Sequence, residues 1–290
     1  LFYLGFKKRI PPFVLFFSML ILSFNVHLLY YSSQTYTEAF FIMIQALLFL
    51  VINKYFISDE KENIEFKKDY KKFLLLGFVL FIVSLTKNVG LASIVAVFGY
   101  FIITKYWKSL LLTVLSSALF ILTFEMLKRY IWTQSGFQIE SHGAGLLYKD
   151  FYNPAKGYED LSGFIQRVID NSNLYLSKHL YIILGVKSQL TISPVLTIVT
   201  YIFFFIALVS VFKRNKHLLF AGVYVGTMCL ITFISIQKVW DSERLFIIYL
   251  PYILVFFFGG VYYLFSKNLL KKLQFFILPL LVFLFFGYLK

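Results

Sequence analysis

Long apolar runs separated by short polar patches dominate this chain. Lys7-Lys8-Arg9 is followed by Pro11-Pro12 and an apolar run to about Tyr31, with Asn25 and His27 as polar members near its far end. Proline in a first helical turn is tolerated, because the missing N–H has no acceptor there. A second run covers about 36–56. Residues 57–72 mix lysines with aspartates and glutamates and read as a solvated loop. Apolar runs resume at about 73–86, 89–104, 109–131, 194–212, 218–236, 245–265 and 273–289. Several reach the ~20 residues that a membrane helix needs. The pattern predicts an all-α, polytopic transmembrane helical bundle of about nine helices, in one domain spanning 1–290. Residues 1–6 read as the end of a helix whose start lies upstream of Leu1.

The stretch 73–104 can be read as one long helix or as two short ones broken at Thr86-Lys87-Asn88. Charge parity decides. With two crossings, the basic clusters 7–9, 54–72, 105–108, 213–216 and 267–272 fall on one side, as the positive-inside rule prefers; with one crossing that asymmetry collapses. A helix of fourteen residues spans roughly 21 Å, short of the ~30 Å hydrocarbon core. Lys87 and Asn88 are therefore expected at the bottom of a protein-lined recess, where a non-helical turn is tolerated.

Residues 132–193 form the long extracytoplasmic loop. It contains His142-Gly143-Ala144-Gly145 and the turn signal Asn153-Pro154. From Asp160 onward, Leu161, Phe164, Ile165, Val168 and Ile169 recur at helical spacing, predicting an amphipathic helix on the membrane surface.

Composition agrees with a membrane protein. The 290 residues are 60% hydrophobic and 14% charged, with a mean hydropathy of +0.78; soluble domains are nearer half apolar and a quarter charged. The net charge of +14 follows from Lys and Arg gathering in cytoplasmic loops, so nucleic acid is not the implied partner. The single cysteine, Cys229, lies in an apolar run and reads as a packing residue. No phosphate-binding loop, His-Glu-x-x-His or Gly-x-Ser-x-Gly pattern is present.

On this topology Glu38, Lys87 and Asp241-Ser242-Glu243-Arg244 share the non-cytoplasmic face, and charges beside membrane helices are where chemistry is sought. Each has two readings. Thr35-x-x-Glu38 matches a capping box, and a first-turn glutamate suits the helix dipole; the same carboxylate could position substrate or ligate a metal. Lys87 could snorkel to the interface or bind an anion such as phosphate. Asp241 or Ser242 could cap the helix that follows, with Glu243 complementing its dipole. Arg244 sits where the dipole disfavours a cation and so calls for an anionic partner. His142 is a weaker candidate in the loop. Asn25 and His27 read as interhelical hydrogen-bonding groups.

Three segments carry a family resemblance: Thr37-Glu38-Ala39-Phe40-Phe41, Ser84-Leu85-Thr86-Lys87-Asn88-Val89-Gly90-Leu91, and Glu243-Arg244-Leu245-Phe246-Ile247-Ile248-Tyr249-Leu250-Pro251. Their order, around a basic loop and a long outer loop, resembles the GT-C membrane glycosyltransferases that use polyprenyl-phosphate sugars, above all the protein mannosyltransferase and aminoarabinose transferase branch. The sequence departs from that pattern at Asn88-Val89 and at Leu245, where relatives carry other residues. The resemblance implies transfer of a sugar from a polyprenyl-phosphate donor to a lipid, glycan or protein acceptor. It places the active site on the periplasmic or extracellular face of a bacterial plasma membrane. Glu38 would match a second acidic position, with the main catalytic carboxylate upstream of Leu1, and Lys87 and Arg244 would match donor-phosphate positions. Asn88, His142, Asp241 and Glu243 are further site candidates. A divalent cation, magnesium or manganese, is compatible with Glu38. The alternatives are a transporter or flippase for a lipid-linked or anionic solute, for which a repeat and mid-membrane charges would be expected, and a non-catalytic scaffold.

Overall fold

A computed structural model describes residues 1–34, 37–57, 65–133, 146–150, 153–186, 191–237 and 241–266. Among these the protein is helical throughout, apart from one isolated bridge between Tyr148 and Tyr158. The helices are α1 (Phe2–Phe6), α2 (Pro12–Phe24), α3 (Val26–Ser33), α4 (Glu38–Tyr55), α5 (Phe66–Thr86), α6 (Leu91–Ile103), α7 (Trp107–Thr133), α8 (Leu161–Leu174), α9 (Leu180–Ile183), α10 (Pro194–Phe212), α11 (Lys216–Ser235), α12 (Arg244–Ile247) and α13 (Leu250–Phe265). A π-turn, Tyr175–His179, joins α8 to α9.

Among the described residues, four helices are long and apolar enough to cross a membrane: Glu38–Tyr55, Trp107–Ile131, Pro194–Phe212 and Lys216–Ser235. The pair α2 and α3, bent by 57° at Asn25, makes a fifth if it is one broken span. Asn88–Ile103 and Leu250–Phe265 are apolar but shorter. The helix expected over 273–289 lies outside the described residues, as does the part of the long loop that contains His142.

Three boundaries differ from expectation, each for a local reason. The run 12–31 is not one helix: Asn25 adopts an extended conformation, accepts from Leu28 N–H through its side chain and donates to Ile183 O at 2.6 Å. It thus makes the interhelical bond expected of it while capping α3. Helix α5 starts at Phe66 rather than 73. Its first turns are solvated, with i,i+3 ion pairs from Lys68 to Glu65 and from Lys72 to Asp69. The helix has 21 residues, about 31 Å, and the apolar part beyond those solvated turns is the expected 73–86. The run 245–265 divides at Ile248 and Tyr249, because Pro251 occupies the first turn of α13 and its ring cannot continue a helix from α12.

The break at Lys87 falls where charge parity puts it. Lys87 is extended, and a 3-10 turn over Asn88–Gly90 leads into α6. Gly90 is required there, since a Cβ would overlap the Val83 carbonyl.

Packing brings described residues of the clusters 7–9, 54–72, 105–108 and 213–216 to one end; the cluster 267–272 lies outside the described residues. Asn215 Nδ2 donates to Arg9 O at 3.0 Å, Asn53 Nδ2 donates to Gly5 O at 2.9 Å, and Lys216 Nζ donates to the Tyr106 hydroxyl at 3.0 Å. These contacts gather Arg9, Lys54, Lys105 and Lys216 around the C-terminal end of α4. Glu38 begins that helix, about 26 Å away at 1.5 Å per residue. Between the ends lies an aromatic core in which Phe49 stacks on Tyr252 at 4.1 Å and meets the edge of Tyr224 at 4.9 Å. Midway, the Tyr224 hydroxyl joins Gln45 and Ser93, both at 2.9 Å. This buried network ties α4, α6 and α11 together without charge.

Helix α8 confirms the predicted amphipathic stretch and shows how it is used. Asp160 caps it by accepting from Gly163 N–H. Its polar side faces inward: Arg167 binds Glu159 at 2.7 Å and the carbonyls of Leu146 and Tyr148, while Asn171 donates to Phe233 O and Ile236 O. Its apolar side faces outward, with Leu161 79% and Ile165 55% exposed.

Candidate functional site

Antiparallel packing of α4 and α5 sets the start of one beside the end of the other, which places Glu38 next to Lys87. Helix α11 ends at the same pole, so the segment after it carries Arg244 there too. Glu38 is the first residue of α4, its side chain only 3% exposed. Lys87 Nζ lies 2.7 Å and Arg244 Nε 3.4 Å from Glu38 Oε1. The other oxygen, Oε2, is buried with no hydrogen-bond partner among the described residues. Tyr31, from α3, sits in the combined field of Glu243, Arg244 and Glu38.

This geometry alters the role expected of each residue. The N-cap of α4 is Thr37, which makes no side-chain cap bond. Glu38 thus occupies the first helical position rather than the third position of a capping box begun by Thr35, which itself lies outside the described residues. Lys87 turns inward to Glu38 instead of snorkelling, and Arg244 finds in Glu38 the anion its position calls for. One carboxylate between two cations leaves the trio with a net positive charge, which favours a further anion.

Asp241 and Glu243 form a second cluster on the same short segment. Neither Asp241 nor Ser242 caps α12; its N-cap is Glu243, without a side-chain bond. Asp241 instead takes Lys178 Nζ at 2.8 Å and His179 Nε2 at 2.6 Å. Burial alone would raise the Asp241 carboxyl, but the hydrogen bonds from Lys178 and His179 outweigh it and hold the group below the usual carboxylate range. Burial pushes the His179 ring down, opposed by Asp241. Tyr175, buried beneath, is raised by burial and accepts from Ser242 N–H, which opposes the shift.

Sequence reasoning brought Glu38, Lys87, Asp241, Glu243 and Arg244 to one pole and missed Lys178 and His179. A signal for them was present: Arg167, Asn171, Tyr175 and His179 recur every four residues along the inward side of α8 and its extension. Asn88 is exposed in the 3-10 turn, with no side-chain hydrogen bond among the described residues. His142 lies outside those residues.

Among the described residues, no group of three or more His, Cys, Asp or Glu side chains could hold a metal ion. Glu38 Oε1 faces Lys87 and Arg244, and Glu38 is the one carboxylate of the trio. No family model, curated protein or solved structure matches this chain.

Proposed function

We propose that this protein is a GT-C-type membrane glycosyltransferase of about nine crossings, which moves a sugar from a polyprenyl-phosphate donor to an acceptor at the pole of Glu38, on the periplasmic or extracellular face. The observation that carries the reading is the meeting of Glu38, Lys87 and Arg244. They come from three segments far apart in sequence, the same three that resemble the family, and they converge on one carboxylate.

The chemistry suits the trio. Breaking the bond between the sugar anomeric carbon and phosphate leaves the electron pair on a phosphate oxygen. Cations held in place before the reaction stabilise that charge without reorganising. Lys87 and Arg244 supply two cations, and Glu38 keeps them together while the donor is absent. The unpartnered Glu38 Oε2 is placed to accept a hydrogen bond from a substrate hydroxyl or amine. The same positive pole suits a phosphate at the bilayer surface whose polyprenyl tail stays in lipid.

The test is sugar release from a polyprenyl-phosphate donor by membranes containing the protein. Glu38→Gln, Lys87→Ala and Arg244→Ala are each expected to lower the rate by about 10²-fold, the scale of losing one preorganised charge contact. Undiminished rates in all three variants would remove the assignment.

A further inference from the structure

His179 closes the π-turn Tyr175–His179 and is 2% exposed. Such a turn adds a residue to a helix and re-aims the side chains after it, and it recurs at functional sites. Here it points the imidazole at the backbone segment 241–244. Nε2 is 2.6 Å from Asp241 Oδ1, and Nδ1 is 3.7 Å from Glu243 Oε2. Nδ1 is buried and has no hydrogen-bond partner among the described residues.

The tautomer follows from the partners. The Asp241 carboxylate only accepts, so Nε2 carries the proton, and in the neutral ring Nδ1 is a bare lone pair. That lone pair faces a second carboxylate, with no hydrogen between them. Adding one proton at Nδ1 reverses the interaction: the imidazolium then donates to Asp241 from one nitrogen and to Glu243 from the other. The two carboxylates are two residues apart on one strand of backbone, and the next residue is Arg244, whose Nε is 3.4 Å from Glu38.

We infer that His179 is a positioning residue for Arg244: neutral, it holds the 241–244 segment through Asp241 alone; protonated, it also draws in Glu243 and fixes the backbone that presents Arg244 to Glu38.

The charged groups acting on the ring are Asp241, Lys178 and Glu243. Lys178 shares Asp241 at 2.8 Å. Helices α9 and α10 carry no charged side chain. On α8, Arg167 is paired with Glu159, and Asp170 accepts from Gln166 on its own helix. The Tyr175 ring lies 5.0 Å from the imidazole. Burial favours the neutral ring, so the second proton arrives as pH falls below the ordinary histidine range. The tether stands on this geometry; its consequence for turnover rests on the sugar-transfer reading.

The experiment places a thiol on the tethered segment. Ser242 is half-buried and Cys229, the sole native cysteine, is buried, so Ser242→Cys supplies the reporting thiol. Its modification rate by a small thiosulfonate is measured from pH 8 to pH 5 in the purified full chain and divided by the rate of a free cysteine peptide, which removes the thiolate dependence. The corrected rate is expected to fall about five- to tenfold across this range as local opening of the segment is suppressed. S242C/H179Q and S242C/E243A are expected to show no fall, because the first has no side chain that gains a proton in this range and the second has no acceptor facing Nδ1. A pH-independent rate in S242C overturns the inference and needs no variant at 179, so misfolding of one variant does not shelter it. An unchanged fall in S242C/H179Q also overturns it. Sugar transfer assayed on the same preparations separates the two claims: a fall in thiol reactivity without transfer in any preparation keeps the tether and removes the sugar-transfer reading. Transfer with a flat thiol profile does the reverse.

Discussion

Glu38 is a buried carboxylate with two cations on one oxygen and, among the described residues, no hydrogen-bond partner on the other. Removing Lys87 leaves Arg244 on the same carboxylate, so what is lost is one hydrogen bond between charged groups. Lys87→Met is therefore expected to lower the stability of the detergent-solubilised protein by roughly 2 kcal/mol. Glu38→Met/Lys87→Met is expected to lose less than the two single variants added together, as read by thermal unfolding. Additive losses would mean that the 2.7 Å contact is not energetically coupled. The residues of this trio were legible in the sequence because each is a charge bordering an apolar run. Their partners were not, because a capping box and an ion pair place a glutamate in the same first turn. His179 was harder still. As the second histidine of the long loop, after His142, it carries no signal until the helical line from Arg167 is followed through to it.

Breaks in the helices decide where these residues go. The turn after α5 was readable from charge parity, since only a second crossing keeps the basic clusters together. Its tightness was not, because it depends on the approach of Gly90 to the Val83 carbonyl. Gly90→Ala is expected to destabilise the protein by about 2 kcal/mol through backbone displacement, and to reduce sugar transfer more than Asn88→Ala does, because it moves Lys87. Equal transfer in the two variants would separate the turn from the site. The break at Tyr249 had a visible cause in Pro251. The break at Asn25 did not, since it needs the Ile183 carbonyl, 158 residues away, as a partner. Helix α8 was legible as amphipathic, but not in its orientation. Its inward side is polar because the carbonyls at the end of α11 need donors, and Asn171 supplies them. The apolar side is thereby left facing outward.

Taken whole, the molecule separates two poles along α4: a basic one around Arg9, Asn53 and Lys216, and the Glu38 pole about 26 Å away. We propose that the basic pole faces the cytoplasm, the side on which the positive-inside rule expects Lys and Arg. Cysteines replacing Asn88 and Lys213, both exposed, should react with a membrane-impermeant thiol reagent from opposite faces of sealed vesicles, Asn88→Cys from the non-cytoplasmic one. Labelling of both from the same face would contradict this orientation. The all-helical character and the separation of charge were legible because both are properties of composition and spacing. Helix α4, which carries residues of both poles, is one of the four clear spans among the described residues.

The central claim is that Glu38, Lys87 and Arg244 work as one unit in sugar transfer. Its most direct test is a double-mutant cycle on the transfer rate, using Glu38→Gln, Arg244→Ala and the combined variant with a polyprenyl-phosphate sugar as donor. Groups that act together are strongly non-additive, so the double variant should be no slower than about threefold below the slower single one. Losses that multiply independently, or a wild-type rate in either single variant, would contradict it.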